Sequence, residues 1–196
     1  MLMQRLRDET AALHAQVESV LNPDVRFATR ANYIALLLAL HPFYLKCETV
    51  LAALPWHEIG FDLAARRKGP LLAADLRALG QSVRDEQPDA HCPICINLAA
   101  GFGTMYVLEG ATLGGRILRK LLRTKLGIDA TNGGSFYDCY GDRTQAMWKE
   151  FGAAADAYCG DFPQRQDSAV AAATATFSAI ARVVWALDDK STTEPL

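Results

Sequence analysis

The sequence predicts an all-α fold built as a single domain. Two observations carry that expectation. Apolar residues recur at helical spacing along most of the chain, with no run of alternating β-branched residues. The Pro and Gly breakers fall between these periodic segments rather than within a strand-like pattern. At 196 residues the chain is long enough for one well-cored domain and short for two. Residues 1–190 are assigned to that domain, and residues 191–196 to a polar tail that frays.

Residues 2–21 place Leu6, Thr10, Leu13, Val17, Val20 and Leu21 on one stripe when each residue advances ~100°. Asn22-Pro23 ends that segment. Residues 31–54 repeat the habit with Ile34, Leu37, Leu38 and Leu45, and Leu36, Leu37 and Leu38 read as core. His41-Pro42 is expected to kink or restart this helix. Residues 70–79 read as a helix with Pro70 in its first turn. Gln87-Pro88 precedes the longest candidate, residues 93–126. Asn132-Gly133-Gly134 and the breakers from Gly160 to Pro163 set off helices at 148–159 and 168–187. The pattern amounts to about six to eight helices without an internal repeat.

Hydrophobic residues make up 51% of the chain and charged residues 21%, the balance of a soluble globule rather than a disordered segment. Lys and Arg total 20 against 22 Asp and Glu, a net charge of −2, which is a poor footprint for a nucleic-acid binder. The longest apolar run, residues 33–40, falls short of the ~20 residues of a spanning helix. Arg5, Arg7, Asp8 and Glu9 near the start do not resemble an export signal. These features lead to the expectation of a cytoplasmic protein with no membrane or nucleic-acid partner. Five cysteines in that setting read as free thiols.

The most informative stretch runs from Gly101 to Arg116. Gly110, Gly114 and Gly115 together disfavour a helix by roughly 3 kcal/mol relative to alanine. At helical spacing Gly103, Tyr106, Val107, Gly110, Gly114, Ile117 and Leu121 share one face. A face with its side chains deleted lets another object approach the backbone. Two arrangements would offset the cost: tight helix–helix packing through small residues, or a flat ligand lying against the helix. The Gly114-Gly115 pair also permits a bend.

His14 sits at the margin of the first apolar stripe, with Arg7 seven residues before it and Glu18 four after. A neutral imidazole suits iron, and a carboxylate on the other ring nitrogen fixes the tautomer and raises ligand basicity. A cation two turns away can meet an anionic ligand tail.

Taken together, these residues resemble the haem oxygenase family, in its bacterial biliverdin-producing branch. The similarity begins with Leu6-Arg7-Asp8-Glu9-Thr10, His14 and Val17-Glu18, and passes through Lys68-Gly-Pro-Leu-Leu-Ala-Ala-Asp75-Leu76. Its most specific part is Tyr106-Val-Leu-Glu-Gly110-Ala-Thr-Leu-Gly114-Gly115. Phe136, Tyr140-Gly141, Trp148, Phe151 and Ala175-Thr176-Phe177 follow at similar spacing.

The resemblance implies a helical fold with haem between a proximal and a kinked distal helix. His14 would be the axial iron ligand, Glu18 its partner, and Arg7 a propionate anchor, with Lys149 a further candidate. Gly110 and Gly114 would put bare backbone over the iron as the catalytic distal surface, and Gly115 would aid the bend. Thr10, Tyr106 and Phe177 would line the pocket. Haem would be both cofactor and substrate, with dioxygen as co-substrate, and the products biliverdin, carbon monoxide and ferrous iron. Electrons would come from an external ferredoxin or NADPH-dependent reductase, since the chain has no nucleotide-binding fingerprint of its own. A bacterial phytochrome is a possible biliverdin acceptor.

The chain departs from the animal enzymes at Ala111, where they carry the Asp that organises distal water. Glu109, Thr112 and Arg116 are near in sequence, but their angles do not point to the haem face. That departure keeps a second reading open, a haem carrier or sensor without turnover. A third is a helical module with a small-residue seam and no haem.

Other motifs carry less. Cys92-Pro-Ile-Cys95 has redox or half-zinc spacing, but no βαβ context precedes it and Cys47, Cys139 and Cys159 supply no second ligand pair. His41, His57 and His91 flank breakers without ligand-spaced partners. Arg116, Arg119, Lys120, Arg123 and Lys125 form a basic patch, either a solvated face or a docking surface for an acidic electron donor.

Overall fold

A computed structural model gives the structure of the protein and describes residues 1–83, 92 and 95–191. Among the described residues the chain is helical, with no strand. Its helices are α1 (Leu2–Leu21), α2 (Pro23–Arg26), α3 (Arg30–Ala52), α4 (Gly69–Ala78), α5 (Leu98–Leu126), α6 (Ser135–Asp138), α7 (Thr144–Cys159) and α8 (Pro163–Ser191). Short 3₁₀ turns cover Trp56–Ile59, Ala64–Arg66 and Gly141–Arg143. The all-α expectation is met.

Helix α3 crosses the middle of the molecule. It buries residues around much of its circumference, including Leu36, Leu37, Phe43, Tyr44, Cys47 and Leu51. Its entry is fixed by Thr29, whose hydroxyl accepts the Asn32 N–H at 3.1 Å. Of the kink or restart expected at Pro42, the restart does not occur, since the helix runs unbroken from Arg30 to Ala52. Pro42 leaves the carbonyl four residues earlier, at Leu38, without its helical donor. Leu38 is 43% exposed, a correction to its reading as core, and water can satisfy its carbonyl there.

Helices α1 and α5 both pack along α8, far more extensively than against each other. The α1 stripe puts Leu2, Leu6 and Thr10 into the core, with Leu13, Val17, Val20 and Leu21 at its edge. Helix α5 begins at Leu98, later than the predicted residue 93, because Asn97 caps it by accepting the Ala100 N–H at 2.8 Å. Residues 93 and 94, and the breaker at 87–88, lie outside the described residues. Gly127 ends α5 at φ 65°, a left-handed conformation that glycine takes without strain. Helices α7 and α8 each begin earlier than predicted, at Thr144 and Pro163. Of the predicted tail, Ser191 is still helical and residues 192–196 are outside the described set.

Two helices, Arg30–Ala52 and Pro163–Asp188, are long and apolar enough to cross a membrane, more than the residue 33–40 run suggested. About half of each apolar window, 50% and 44%, is buried inside the protein, as in a core helix. Helix α6 is held by Asp75 of α4. Its carboxylate accepts the Ser135 N–H at 2.8 Å, the Ser135 hydroxyl at 2.7 Å and the Phe136 N–H at 2.8 Å.

Candidate functional site

The glycines of α5 separate into two groups. A Cβ at Gly103 would lie 1.9 Å from the Ala169 carbonyl oxygen of α8, and one at Gly101 would lie 2.7 Å from Leu54 and 2.8 Å from Trp56. These positions let α5 close onto its neighbours, and here the helix-packing explanation suffices. Gly115 belongs with them: a Cβ there would meet the Tyr137 carbonyl oxygen at 2.5 Å. Gly115, expected to aid a bend beside the haem, instead has its missing side chain accounted for by the close approach of α6. The helix keeps its helical assignment through all three of Gly110, Gly114 and Gly115.

Gly110 and Gly114 are different. A Cβ at either would meet nothing within 4 Å. No protein group requires glycine there, although the helix bears its cost. The stripe expected to run from Gly103 to Leu121 is thus not one packing surface. Its Gly103 end is buried in α8, its middle at Gly110 and Gly114 is bare, and Ile117 beyond is 70% exposed.

Helices α1, α5 and α8 converge beside this bare backbone. Phe177 of α8 is 4% exposed and meets two rings edge-on. The His14 imidazole of α1 lies 5.8 Å from it between centroids, and the Tyr106 ring of α5 lies 6.3 Å away. Thr10, one turn before His14, is 1% exposed and donates its hydroxyl to the Leu6 carbonyl at 2.7 Å. The Tyr106 side chain of α5 lies beside it. Burial raises the pKa of Tyr106, against the opposing pull of Thr10 and the nearby Arg7 charge. Trp148 of α7 closes the same end, 5.7 Å from Tyr106, and Lys149 beside it is exposed.

The structure therefore gathers Arg7, Thr10, His14, Tyr106 and Phe177 into one corner. Gly110 and Gly114 follow one and two turns beyond Tyr106 on α5. The His14 side chain is 54% exposed, and its Nδ1 lies 3.6 Å from Glu18 Oε2. That arrangement leaves Nε2 as the nitrogen available to a ligand. Glu18 is itself 69% exposed, so the pair orients the ring more than it adds stability.

Behind the bare face lies a buried polar cluster that sequence reasoning did not find. Glu109, adjacent to Gly110, has a 1% exposed side chain. It accepts the Lys68 ammonium at 2.5 Å and the Tyr140 hydroxyl at 2.8 Å on one oxygen, and the Arg66 guanidinium at 2.8 Å on the other. Arg66 and Lys68 are 5% and 2% exposed, so these are buried charges that depend on Glu109 and on the Met147 and Arg66 carbonyls for their partners. Burial and the Glu109 charge push the Tyr140 hydroxyl well above the usual phenol range. The Thr112 hydroxyl donates to the Glu109 carbonyl at 2.7 Å. Neither Glu109 nor Thr112 has its polar group free to serve the bare face, and Ala111 is exposed. The signal in sequence was a buried-type Glu beside the glycines, but its partners lie 41 and 43 residues away.

A cavity of about 640 Å³ lies on the far side of this cluster, lined by Phe61, Arg66, Tyr140, Arg143 and Glu150 among others. It includes no histidine, so it lacks the donor that an iron site of the expected kind needs. In the basic patch, Arg119 pairs with Asp138 and Lys125 with Asp24, while Arg116, Lys120 and Arg123 stay exposed. His41 is buried within α3, His57 is exposed on a 3₁₀ turn, and His91 lies outside the described residues.

A haem oxygenase of Xanthomonas campestris pv. campestris (strain 8004) is 33% identical over 120 residues, which is 61% of this chain and 68% of that protein. The NO- and CO-bound haem oxygenase of Neisseria meningitidis has a similar fold, with a TM-score of 0.75 at 21% identity, covering 94% of this chain and 90% of that one. The haem oxygenase of Leptospira interrogans gives a TM-score of 0.73 at 19% identity, over 94% of this chain and 98% of its own. Residues 1–186 match the family model described as Heme oxygenase, and the chain belongs to that family.

Proposed function

We propose that this protein opens haem oxidatively to biliverdin, releasing ferrous iron and carbon monoxide, with dioxygen as co-substrate. The observation that carries the reading is the bare backbone at Gly110 and Gly114, which no neighbour within the protein explains, on the cleft that also presents the His14 imidazole. A flat macrocycle is the kind of molecule that a strip of side-chain-free helix admits. Haem, as substrate, brings the iron chemistry with it, and the protein supplies ligation, orientation and shielding.

In this reading His14 Nε2 binds the iron while Glu18 holds Nδ1 and keeps the ring in one tautomer. Phe177 stacks edge-on against the imidazole and limits its rotation. Arg7, exposed beside Tyr106, meets a propionate, and Lys149 is a second cation at that end. Tyr106 sits beside Thr10 and meets Phe177, where the proximal helix approaches the distal one. The backbone at Gly110 and Gly114 excludes bulk from one side and so sets which macrocycle edge is exposed to oxygen. With Ala111 where the animal enzymes have Asp, proton delivery falls to water admitted along the exposed face rather than to a carboxylate.

The exposed Arg116, Lys120 and Arg123 suit an acidic ferredoxin or the acidic face of an NADPH-dependent reductase, which would steer onto them at low salt. A cytoplasmic location fits such a donor, and a bacterial phytochrome is the proposed taker of the product. Ala111 also favours a second reading, a haem carrier or sensor of the same fold. One experiment divides them. Haem is added to the purified protein, the Soret band recorded, and ascorbate or a ferredoxin system supplied in air. Loss of the band with formation of biliverdin supports turnover. A stable band supports the carrier, and no band means that the cleft does not take haem.

A further inference from the structure

The cavity beside the Glu109 cluster borders a positive charge that the protein leaves without a close partner. Two buried cations, Arg66 and Lys68, share the single carboxylate of Glu109. One surplus positive charge therefore sits in a place nearly closed to water, where an unmatched charge is costly. Arg66 has one further carboxylate in range, that of Glu150, with an oxygen 3.7 Å from Nη2. That distance is too long for a hydrogen bond, and Glu150 is 57% exposed, so it holds Arg66 only loosely.

The Arg66 guanidinium is nonetheless fixed in place. Its Nη1 donates to Glu109 at 2.8 Å and to the Met147 carbonyl at 3.1 Å. Its central carbon lies 4.9 Å from the centre of the Phe61 ring, and that ring packs in turn on Trp56 and Phe102. Among the described residues all its hydrogen bonds leave from Nη1, so Nη2 has donors to spare. Arg66 lines the cavity of about 640 Å³. Small-molecule sites fall in a range of about 300–1,000 Å³.

The walls define the ligand. Phe61, Met147 and the Tyr140 ring supply apolar surface, while the Tyr140 hydroxyl is engaged with Glu109. Asp62 and Glu150 also line the cavity and oppose a multiply charged anion such as a phosphate ester. Arg143, exposed at the rim, donates to the Met147 sulfur at 3.6 Å and has no ion pair among the described residues. We propose that this cavity is a second small-molecule site, separate from the haem cleft, for an organic monocarboxylate with an apolar, ring-sized body. The ligand carboxylate takes the Nη2 edge of Arg66, and the body lies along Phe61 and Met147. Glu150 is the chain's own stand-in for that carboxylate and swings out when the ligand enters.

Binding of para-fluorophenylacetate to the full-length protein is followed by fluorine NMR, with and without haem, beside the neutral para-fluorophenylacetamide. The acid is expected to bind about tenfold more tightly than the amide, because its contact with Arg66 is charge-assisted. Glu150→Gln removes the internal competitor and tightens binding of the acid several-fold. Ala154→Phe and Ala65→Trp, each with an unchanged helical circular dichroism spectrum, fill the cavity and abolish binding. Added haem leaves the bound acid in place. None of these readouts needs haem turnover, so this proposal and the haem reading fail independently. Equal binding of acid and amide, no binding of either, unchanged or weaker binding in Glu150→Gln, displacement by haem, or binding that survives both cavity-filling variants would overturn it.

Discussion

The His14 imidazole on α1 rests edge-on against the Phe177 ring on α8, with centroids 5.8 Å apart. Phe177 also meets Tyr106 of α5, so one aromatic side chain touches groups on both α1 and α5. Replacing it tests that role. Phe177→Leu keeps most of the buried apolar volume but removes the edge contacts, each worth about 0.5–1.5 kcal/mol. The variant is expected to fold, with haem affinity several-fold weaker by Soret titration. Unchanged affinity would show that the ring does not orient His14.

The two groups of glycines make opposite predictions. Gly110→Ala and Gly114→Ala add a methyl group into open space and remove a poor helix former, so each should stabilise the haem-free protein by up to about 1 kcal/mol in denaturant unfolding. Gly114→Leu should leave the fold intact and weaken haem binding more than tenfold. Gly103→Ala places its Cβ 1.9 Å from a backbone oxygen and should destabilise the protein by several kcal/mol. Equal destabilisation at all three positions would mean that Gly110 and Gly114 also serve packing.

The buried cluster around Glu109 predicts strong coupling. Glu109→Ala leaves Arg66 and Lys68 buried without their carboxylate and should cost about 3–5 kcal/mol in stability. Lys68→Met combined with Glu109→Leu should cost less than the sum of the single changes, read from a double-mutant cycle. Additive losses would show that the pair does not act as a unit.

Alkaline pH should destabilise the protein through two thiols, Cys159, which is buried, and Cys139, which is half-buried. Burial pushes Cys139 and Cys159 up to about 11 from the ordinary 9.0. Between these values the unfolded chain has released protons that the folded chain still holds, so the slope of stability against pH is negative. The contribution is complete below pH 9 and is lost as pH rises through 11. Buried Tyr33 and Tyr44, also held protonated by burial, act in the same direction. Denaturant midpoints measured from pH 7 to 11 should be flat and then fall. A midpoint that rises above pH 9 would contradict these assignments.

Local patterns were legible in the sequence because their causes are local. The α1 stripe, Pro70 at the start of α4 and the breakers at 132–134 depend on neighbouring residues, and the structure follows them. What the sequence left open depended on distant partners. The same residue type at Gly103, Gly115 and Gly110 has different reasons, and only the positions of Ala169 and Tyr137 separate them. The partners of Glu109 arrive from a loop before α4 and a turn after α6. Leu38 read as core because its apolar run hid which face Pro42 turns to solvent.

The claim that haem is held between His14 and the bare α5 backbone is tested most directly by the ferric haem spectrum of His14→Ala. The account predicts loss of the imidazole-ligated absorption and electron paramagnetic resonance signals, with recovery when free imidazole is added to fill the vacated position. A spectrum identical to that of the unaltered protein, with no response to imidazole, would contradict it.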